Sequence, residues 1–97
     1  MAMHRIAFHL TNYEPDLSPL QNGRAFAKLA GVPDVTIRSA WASDSRTFGD
    51  CHQIIYLVTA EEARKLATAY YTVPGEAGMT AEAMASDIEE HLASYGF

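Results

Sequence analysis

Four histidines and a single cysteine are the residues of this chain best suited to binding a metal ion. Cys51 and His52 are adjacent on a predicted strand, so their side chains point to opposite faces of a sheet. Asp87 and His91 are four residues apart on a predicted helix and could share an ion, although a solvated surface pair has the same spacing. The chain has no C-x-x-C, H-x-H or H-E-x-x-H spacing. We therefore expect no metal site and no cofactor.

Acid–base catalysis is the second chemistry to consider, and His9 and Arg38 are its candidates. Both are predicted on the open face of one sheet, where paired polar groups in a dimer cavity can transfer protons. Histidines also occur on sheet faces as ordinary surface residues. Ser43, Ser45 and Cys51 have no base at a recognisable spacing. We expect no enzymatic activity, and the alternative is a dimeric enzyme with a small-molecule cavity on the sheet face.

The same face raises nucleic-acid binding as a further alternative. Arg5, Arg38 and Tyr56 could lie on it, and RNA-recognition sheets stack bases on exposed aromatic rings. An aromatic-rich RNP pattern is absent, so packing in the core is the favoured role of Tyr56. The segment GEAG at 75–78 lies between two predicted helices instead of following a strand, which excludes a P-loop. Direct nucleic-acid binding is therefore the less favoured class.

Acidic charge is concentrated in the C-terminal half, where residues 49–97 contain eight acidic and two basic residues. The last predicted helix contains no Lys or Arg. Its outward carboxylates are those of Glu82, Asp87, Glu89 and Glu90. Like charges on one helix repel each other, and the C-terminal end of a helix favours cations. Solubility explains many acidic helices, and the alternative explanation is a protein partner with a basic surface.

A second candidate surface for a partner lies on a predicted β-hairpin. Trp41 and Phe48 flank its connection, which also contains Arg46. Clusters of aromatic residues and arginine are typical anchors of protein interfaces. Trp41 could equally cover the core, so both roles stay open.

Helix and strand signals divide the chain into six elements. Ser18 with Gln21 and Thr59 with Glu62 form two capping boxes, and Thr80 is the predicted cap of a third helix. Alternation of apolar and polar residues predicts the strands, and an apolar stripe predicts each helix. The predicted strands are residues 4–11, 35–41 and 51–58, and a polar connection at 42–50 joins the second strand to the third. The predicted helices are residues 19–30, 60–72 and 81–95.

Residues 25–41 fit two incompatible structures. Their spacing matches a helix-turn-helix motif, which would imply DNA binding. Pro15 and Pro19 leave no room for a preceding helix, and the acidic and basic residues of the recognition segment cancel. A helix that ends at Gly31, followed by Pro33 and a strand, accounts for more residues and is the favoured interpretation.

The element order β-α-β-β-α-α predicts an α+β domain that spans residues 1–97. A β-α-β crossover leaves a gap that the apolar third strand fills antiparallel to both neighbours, which gives the sheet order 1-3-2 with helices on one face. This plan resembles the ferredoxin-like split β-α-β fold with its fourth strand absent or reduced to residues 71–73. Such a likeness carries no functional residue. The open face predicts a homodimer, or the last helix folded across it.

Composition adds the compartment and the function class. The chain has no run of about 20 apolar residues, its first residues lack the apolar core of a signal peptide, and its one cysteine cannot form an internal disulfide, so we expect a cytoplasmic protein. We expect a non-enzymatic protein that binds a basic, nucleic-acid-binding surface of another protein. Small acidic domains of this kind include inhibitors and regulators, among them viral antagonists of host defence encoded by phages or mobile elements.

Overall fold

A computed structural model describes residues 3–46, 49–72 and 81–97 of the chain. In these ranges the protein contains three strands and three helices in the predicted order, and its fold class is α+β. The elements are β1 (His4–Leu10), α1 (Pro19–Leu29), β2 (Thr36–Ser45), β3 (Gly49–Val58), α2 (Ala60–Tyr71) and α3 (Ala81–Ser94). Thr80, the predicted cap of α3, lies outside the described residues.

The three strands form one antiparallel sheet in the order β1-β3-β2, as predicted. In this sheet Tyr56 of β3 lies opposite Ile6 of β1 on one side and Ile37 of β2 on the other. The apolar run of β3 therefore occupies the middle of the sheet. The helix-turn-helix alternative for residues 25–41 is wrong, because residues 36–45 form a strand.

Both predicted capping boxes begin helices. The Ser18 hydroxyl accepts the Gln21 N–H at 3.1 Å, and the Gln21 side chain accepts the Ser18 N–H at 2.8 Å. Thr59 and Glu62 make the same reciprocal pair at 3.3 and 2.9 Å. These side chains satisfy N–H groups that the first turn of a helix leaves unpaired. No helix in the described ranges is long and apolar enough to cross a membrane.

A left-handed glycine ends α1, as predicted. Gly31 has φ of 85°, and the N–H of Val32 beyond it donates to the Ala27 carbonyl at 2.9 Å. This Schellman arrangement turns the chain back and buries Val32 in the core. Pro33 follows directly, so the helix cannot continue.

The core lies between the three helices and the sheet face formed by Ile6, Phe8, Ile54 and Tyr56, and α3 contributes Leu92 to it. Tyr56 is fully buried and donates its hydroxyl to the Gly23 carbonyl at 2.7 Å, which confirms its predicted packing role. Burial raises the pKa of Tyr56 well above its ordinary value, so the phenol stays protonated. A Cβ at Gly23 would lie only 3.0 Å from the Ile54 side chain. The absence of a side chain at Gly23 therefore lets α1 approach the sheet closely.

The last helix packs on α2 and lies beside the outer edge of β1. Nε2 of His91 is 2.8 Å from the Ala7 carbonyl oxygen, and the Tyr70 hydroxyl donates to the His9 carbonyl at 2.8 Å. These contacts place α3 at an edge of the sheet, so the expectation that it folds across the open face is wrong. The physical reason is that aromatic and imidazole side chains can satisfy the edge carbonyls of β1.

The strand bounds of the hairpin need correction, and an open alternative for a fourth strand is decided in part. The polar residues predicted to connect β2 and β3 belong largely to the strands, which extend to Ser45 and restart at Gly49, and Asp44 lies opposite Asp50. Backbone pairing outweighs the low strand propensity of these polar residues. Of the two alternatives for a fourth strand, absent or reduced to residues 71–73, the second does not hold in the described part, because Tyr71 ends α2 and Thr72 is its cap. Val73 lies outside the described residues.

Candidate functional site

A cleft of about 720 Å³ lies at the end of β1, between the following loop and the three helices. Leu29, 80% exposed, contributes to its lining from α1. The other lining residues are His9, Leu10, Thr11, Asn12, Tyr13, Glu14, Asn22, Ala25, Phe26, Ala69, Tyr70, Tyr71, Asp87 and His91. A largely apolar cleft with a few polar groups is the usual form of a binding site.

Buried Asn22 of α1 holds the loop that forms one wall of the cleft. Its Oδ1 accepts the Glu14 N–H at 3.0 Å, and its Nδ2 donates to the Glu14 carbonyl at 3.0 Å. Nδ2 also lies 3.0 Å from Nδ1 of buried His52, and this ring nitrogen is the acceptor because an amide nitrogen only donates. The Tyr13 ring stacks on His52 with 3.9 Å between centroids. The loop is thereby fixed to α1 and β3.

The opposite wall is built around His91 of α3. Its Nε2 must carry a proton to donate to the Ala7 carbonyl, and its Nδ1 lies 2.7 Å from the Tyr71 hydroxyl. Burial lowers the pKa of His91. Burial raises the pKa of Tyr71, and the carboxylates of Asp87 and Glu90 add to the rise. Both side chains are therefore neutral near pH 7, and Tyr71 donates its hydroxyl proton to Nδ1.

Aromatic rings connect this wall to the core. The imidazole of His91 stacks on Phe8 with 4.6 Å between centroids and an interplanar angle of 8°. Tyr70 lies 5.1 Å from Phe8 and 6.3 Å from Phe26, measured between ring centroids. Because the hydroxyl of Tyr70 is also bonded to the His9 carbonyl, the ring is held in place from both ends. The cleft is thus bounded by rings with fixed positions.

A second, shallower depression of about 710 Å³ adjoins the cleft on α3. The two share Tyr71, Asp87 and His91, and the second depression adds Glu90. We call the cleft and this depression together the acidic groove. Among the described residues that line it, three are acidic (Glu14, Asp87 and Glu90) and none is Lys or Arg.

The four acidic residues predicted as one partner surface on α3 divide into two groups. Asp87 and Glu90 line the acidic groove. Glu89 instead pairs with Arg64 of α2 through two contacts of 2.6 and 3.3 Å, and hydrogen bonding to Arg64 lowers the pKa of Glu89. Glu82, seven residues before Glu89, lies on the same side of the helix and is exposed. The sequence of α3 does not reveal the cation that pairs with Glu89, because Arg64 belongs to a different helix.

The second predicted partner surface lies at the far edge of the sheet. Trp41 is 38% exposed on β2, and Arg46 is exposed in the turn that follows. Phe48 lies outside the described residues. Since β3 separates β2 from β1, these residues do not join the acidic groove.

The residues considered for catalysis and metal binding are not brought together. His9 is on β1 and Arg38 is at a bulge of β2, so the central strand separates them. Both ring nitrogens of His91 already have protein partners, so His91 is not available to bind a metal ion together with Asp87. In the described ranges no three His, Cys, Asp or Glu side chains are grouped as metal ligands would be.

Sequence reasoning missed Asn22 and Tyr71 as parts of the site. Asn22 follows the capping box of α1 and reads as an exposed helical residue, although it is buried. Tyr71 appears in the sequence only as the end of a helix or a fourth strand. One feature of the sequence could have indicated the site. Tyr70 and Tyr71 are adjacent at the end of an amphipathic helix, and two neighbouring aromatic side chains at a helix end indicate a contact surface.

No family model, no curated protein and no solved structure matches this chain.

Proposed function

We propose that this protein is a non-enzymatic binding protein that recognises a basic segment of another protein in its acidic groove. The observation that carries the proposal is the composition of the lining, which has three acidic residues and no Lys or Arg among its described residues. Charge of one sign in a concave surface raises the local concentration of opposite charge and accelerates association. The partner therefore presents Arg or Lys side chains.

The groove suits an arginine side chain in two ways. The carboxylates of Asp87 and Glu90 can accept the forked donors of a guanidinium. The ring of Tyr71 lines both parts of the groove and can make a stacking or cation–π contact, and Tyr71 stays neutral because its pKa is raised. The same carboxylates contribute to that rise, so their negative field reaches the ring.

The sub-class of the protein is part of the proposal. An acidic domain that occupies a basic surface acts as an inhibitor or regulator of whatever that surface binds, and nucleic-acid-binding proteins are the natural targets. Antagonists of host defence encoded by phages or mobile elements act in this way. The strand order also fits a ferredoxin-like split β-α-β plan without its fourth strand. Size and charge support the sub-class, and the strand order supports the fold plan.

The observations favour binding over the alternatives. The cleft lies beside the helices and not on the open face of the sheet, where an enzymatic cavity between two sheets would form. His9 and Arg38 are separated by a strand. Tyr56, the one aromatic considered for base stacking, is fully buried.

The test compares two double variants with the same change of net charge. Asp87→Asn with Glu90→Gln removes charge from the groove, and Glu82→Gln with Glu89→Gln removes it from the other side of α3. Each is titrated with a fluorescein-labelled nine-residue arginine peptide at low salt, after circular dichroism shows that the fold is retained. We expect the groove variant to weaken binding about five- to tenfold and the control to weaken it no more than about twofold.

The same variants identify the natural partner. A basic protein captured from the native host by the wild type and by the control, but not by the groove variant, is the expected result. Equal weakening in both variants would assign peptide binding to net charge alone. Retention of the partner by the groove variant would transfer the search to Trp41 and Arg46 on the hairpin.

A further inference from the structure

The alternation of backbone direction shows which groups of β2 face outward. Ala7 and His9 direct their carbonyls to the outer edge of β1. The backbone N–H and C=O groups of Phe8, between them, therefore point to β3 and bond to Ile54. Gln53, next to Ile54, then directs its backbone to β2, where it lies opposite Trp41. Trp41 therefore bonds inward to β3.

Ala40 and Ala42 flank Trp41, so their N–H and C=O groups point away from the sheet. Among the described residues, none makes a hydrogen bond to these groups. Between residues 39 and 45 the strand contains no Pro, no Lys and no bulge, three features that natural edge strands use to prevent pairing. The regular part of this free edge runs from residue 39 to residue 45, after the bulge at Arg38.

We propose that β2 pairs antiparallel with β2 of a second copy of this chain, about a twofold axis at Trp41. Ala40 then lies opposite Ala42 of the second copy, with outward groups facing each other. Arg38, at the bulge just before this regular part, then lies near Asp44 of the second copy. A twofold axis at Ala40 would instead place Arg38 near Ala42 of the second copy. An axis at Ala42 would place Arg38 near residue 46 of the second copy, beyond the end of β2. Of these three registers, the one about Trp41 brings opposite charges near each other.

Two features within one protomer agree with this register. Asp44 lies opposite Asp50, an unfavourable pairing of like charges that Arg38 of the second copy would offset. Trp41 is 38% exposed and would meet Trp41 of the second copy in a non-hydrogen-bonded pair, where Cα atoms are about 4.5 Å apart. A strand-to-strand contact buries less than the ~1,600 Å² of a standard interface, so the dimer dissociates on dilution.

The test is a charge exchange followed by sedimentation equilibrium over a wide concentration range. Arg38→Asp and Asp44→Arg each create like-charge pairs across the axis, whereas the double variant restores opposite charges. We expect each single variant to raise the dissociation constant about five- to tenfold and the double variant to return within about twofold of wild type. Trp41 is the one tryptophan of the chain, so its emission reports dimer formation independently.

A disulfide variant decides the question if the charge variants do not fold. In a Cys51→Ser background, Trp41→Cys should form a crosslinked dimer under mild oxidation, because the two residues are self-paired across the axis. Ser43→Cys is the matched control and should not crosslink, since Ser43 lies opposite Ser39 of the second copy. A wild-type chain that stays monomeric, a double variant that fails to restore the dimer, or equal crosslinking at both positions would overturn the proposal.

Discussion

At the outer edge of β1, the backbone carbonyls of Ala7 and His9 accept hydrogen bonds from side chains of α3 and α2, whereas the outward groups of Ala40 and Ala42 in β2 make no hydrogen bond to a described residue. The first edge therefore belongs to the interior of the domain. The second edge is available for pairing, and its register offers a self-complementary arrangement of charge. One small sheet thus has one edge satisfied within the chain and one edge suited to another chain.

The covered edge also forms the wall of the acidic groove. His91 and Tyr70, which satisfy the β1 carbonyls, are the same residues that position Tyr71 and the rings of the cleft. Structure and candidate site therefore depend on one set of contacts. A substitution here should change both stability and binding, whereas a substitution at the β2 edge should change only association.

The sharpest test of this contrast replaces one aromatic at each edge. Phe8 of β1 is fully buried against the rings of His91, Tyr70 and Phe26, so Phe8→Ala should lower the free energy of unfolding by about 3–5 kcal/mol. Trp41→Ala should cost at most about 1 kcal/mol in the dilute monomer, because Trp41 is 38% exposed. Urea unfolding measures both. Similar losses would mean that the β2 edge is part of the core.

The framework of this contrast could be predicted from sequence. The capping boxes, Gly31 and the apolar run of β3 fix the element order and the position of β3 in the middle of the sheet. These signals are local, since a cap or a turn is decided by residues within about four positions. They do not determine where a helix lies once it has formed.

The site could not be predicted because its contacts join residues that are distant in the chain. His91 bonds to Ala7 across 84 positions, and Arg64 pairs with Glu89 across 25. The acidic residues of α3 are visible in the sequence, but their division between a groove and an ion pair follows from the placement of α2. Asn22 is similar, because its burial depends on the loop that folds over it.

A smaller effect is expected from pH at the covered edge. The pKa of His91 is lowered by burial, so the unfolded chain takes up its proton at higher pH than the folded chain does. The contribution of neutral His91 is complete above the ordinary pKa of about 6.5 and is lost as pH falls through it toward the lower folded value. Unfolding by urea between pH 8 and pH 5 should show this loss in wild type.

Two variants isolate the contribution of His91. His91→Gln keeps an amide donor for the Ala7 carbonyl and removes the titrating ring, so its stability should fall less steeply over the same pH interval. His4→Gln, at an exposed position of β1, is the matched control for the loss of an imidazole. A wild-type slope in His91→Gln would mean that other groups cause the pH dependence and that the ring is not held neutral by its surroundings.

The smallest effect is expected at the ion pair that joins the two helices covering β1. Arg64 and Glu89 are both largely exposed, with 57% and 61% of their side chains accessible, so water and salt screen their attraction. Glu89→Gln should lower the midpoint of thermal unfolding only slightly at low salt, and the difference should vanish near 1 M salt, where the screening length is about 3 Å. Glu82→Gln, on the same side of α3 but without an ion pair in the described structure, is the control. A lowered unfolding midpoint in Glu89→Gln that persists at high salt would show that packing of the Arg64 stem, rather than its charge, holds α3 against α2. That packing contact would then help to hold α3 at the covered edge of β1.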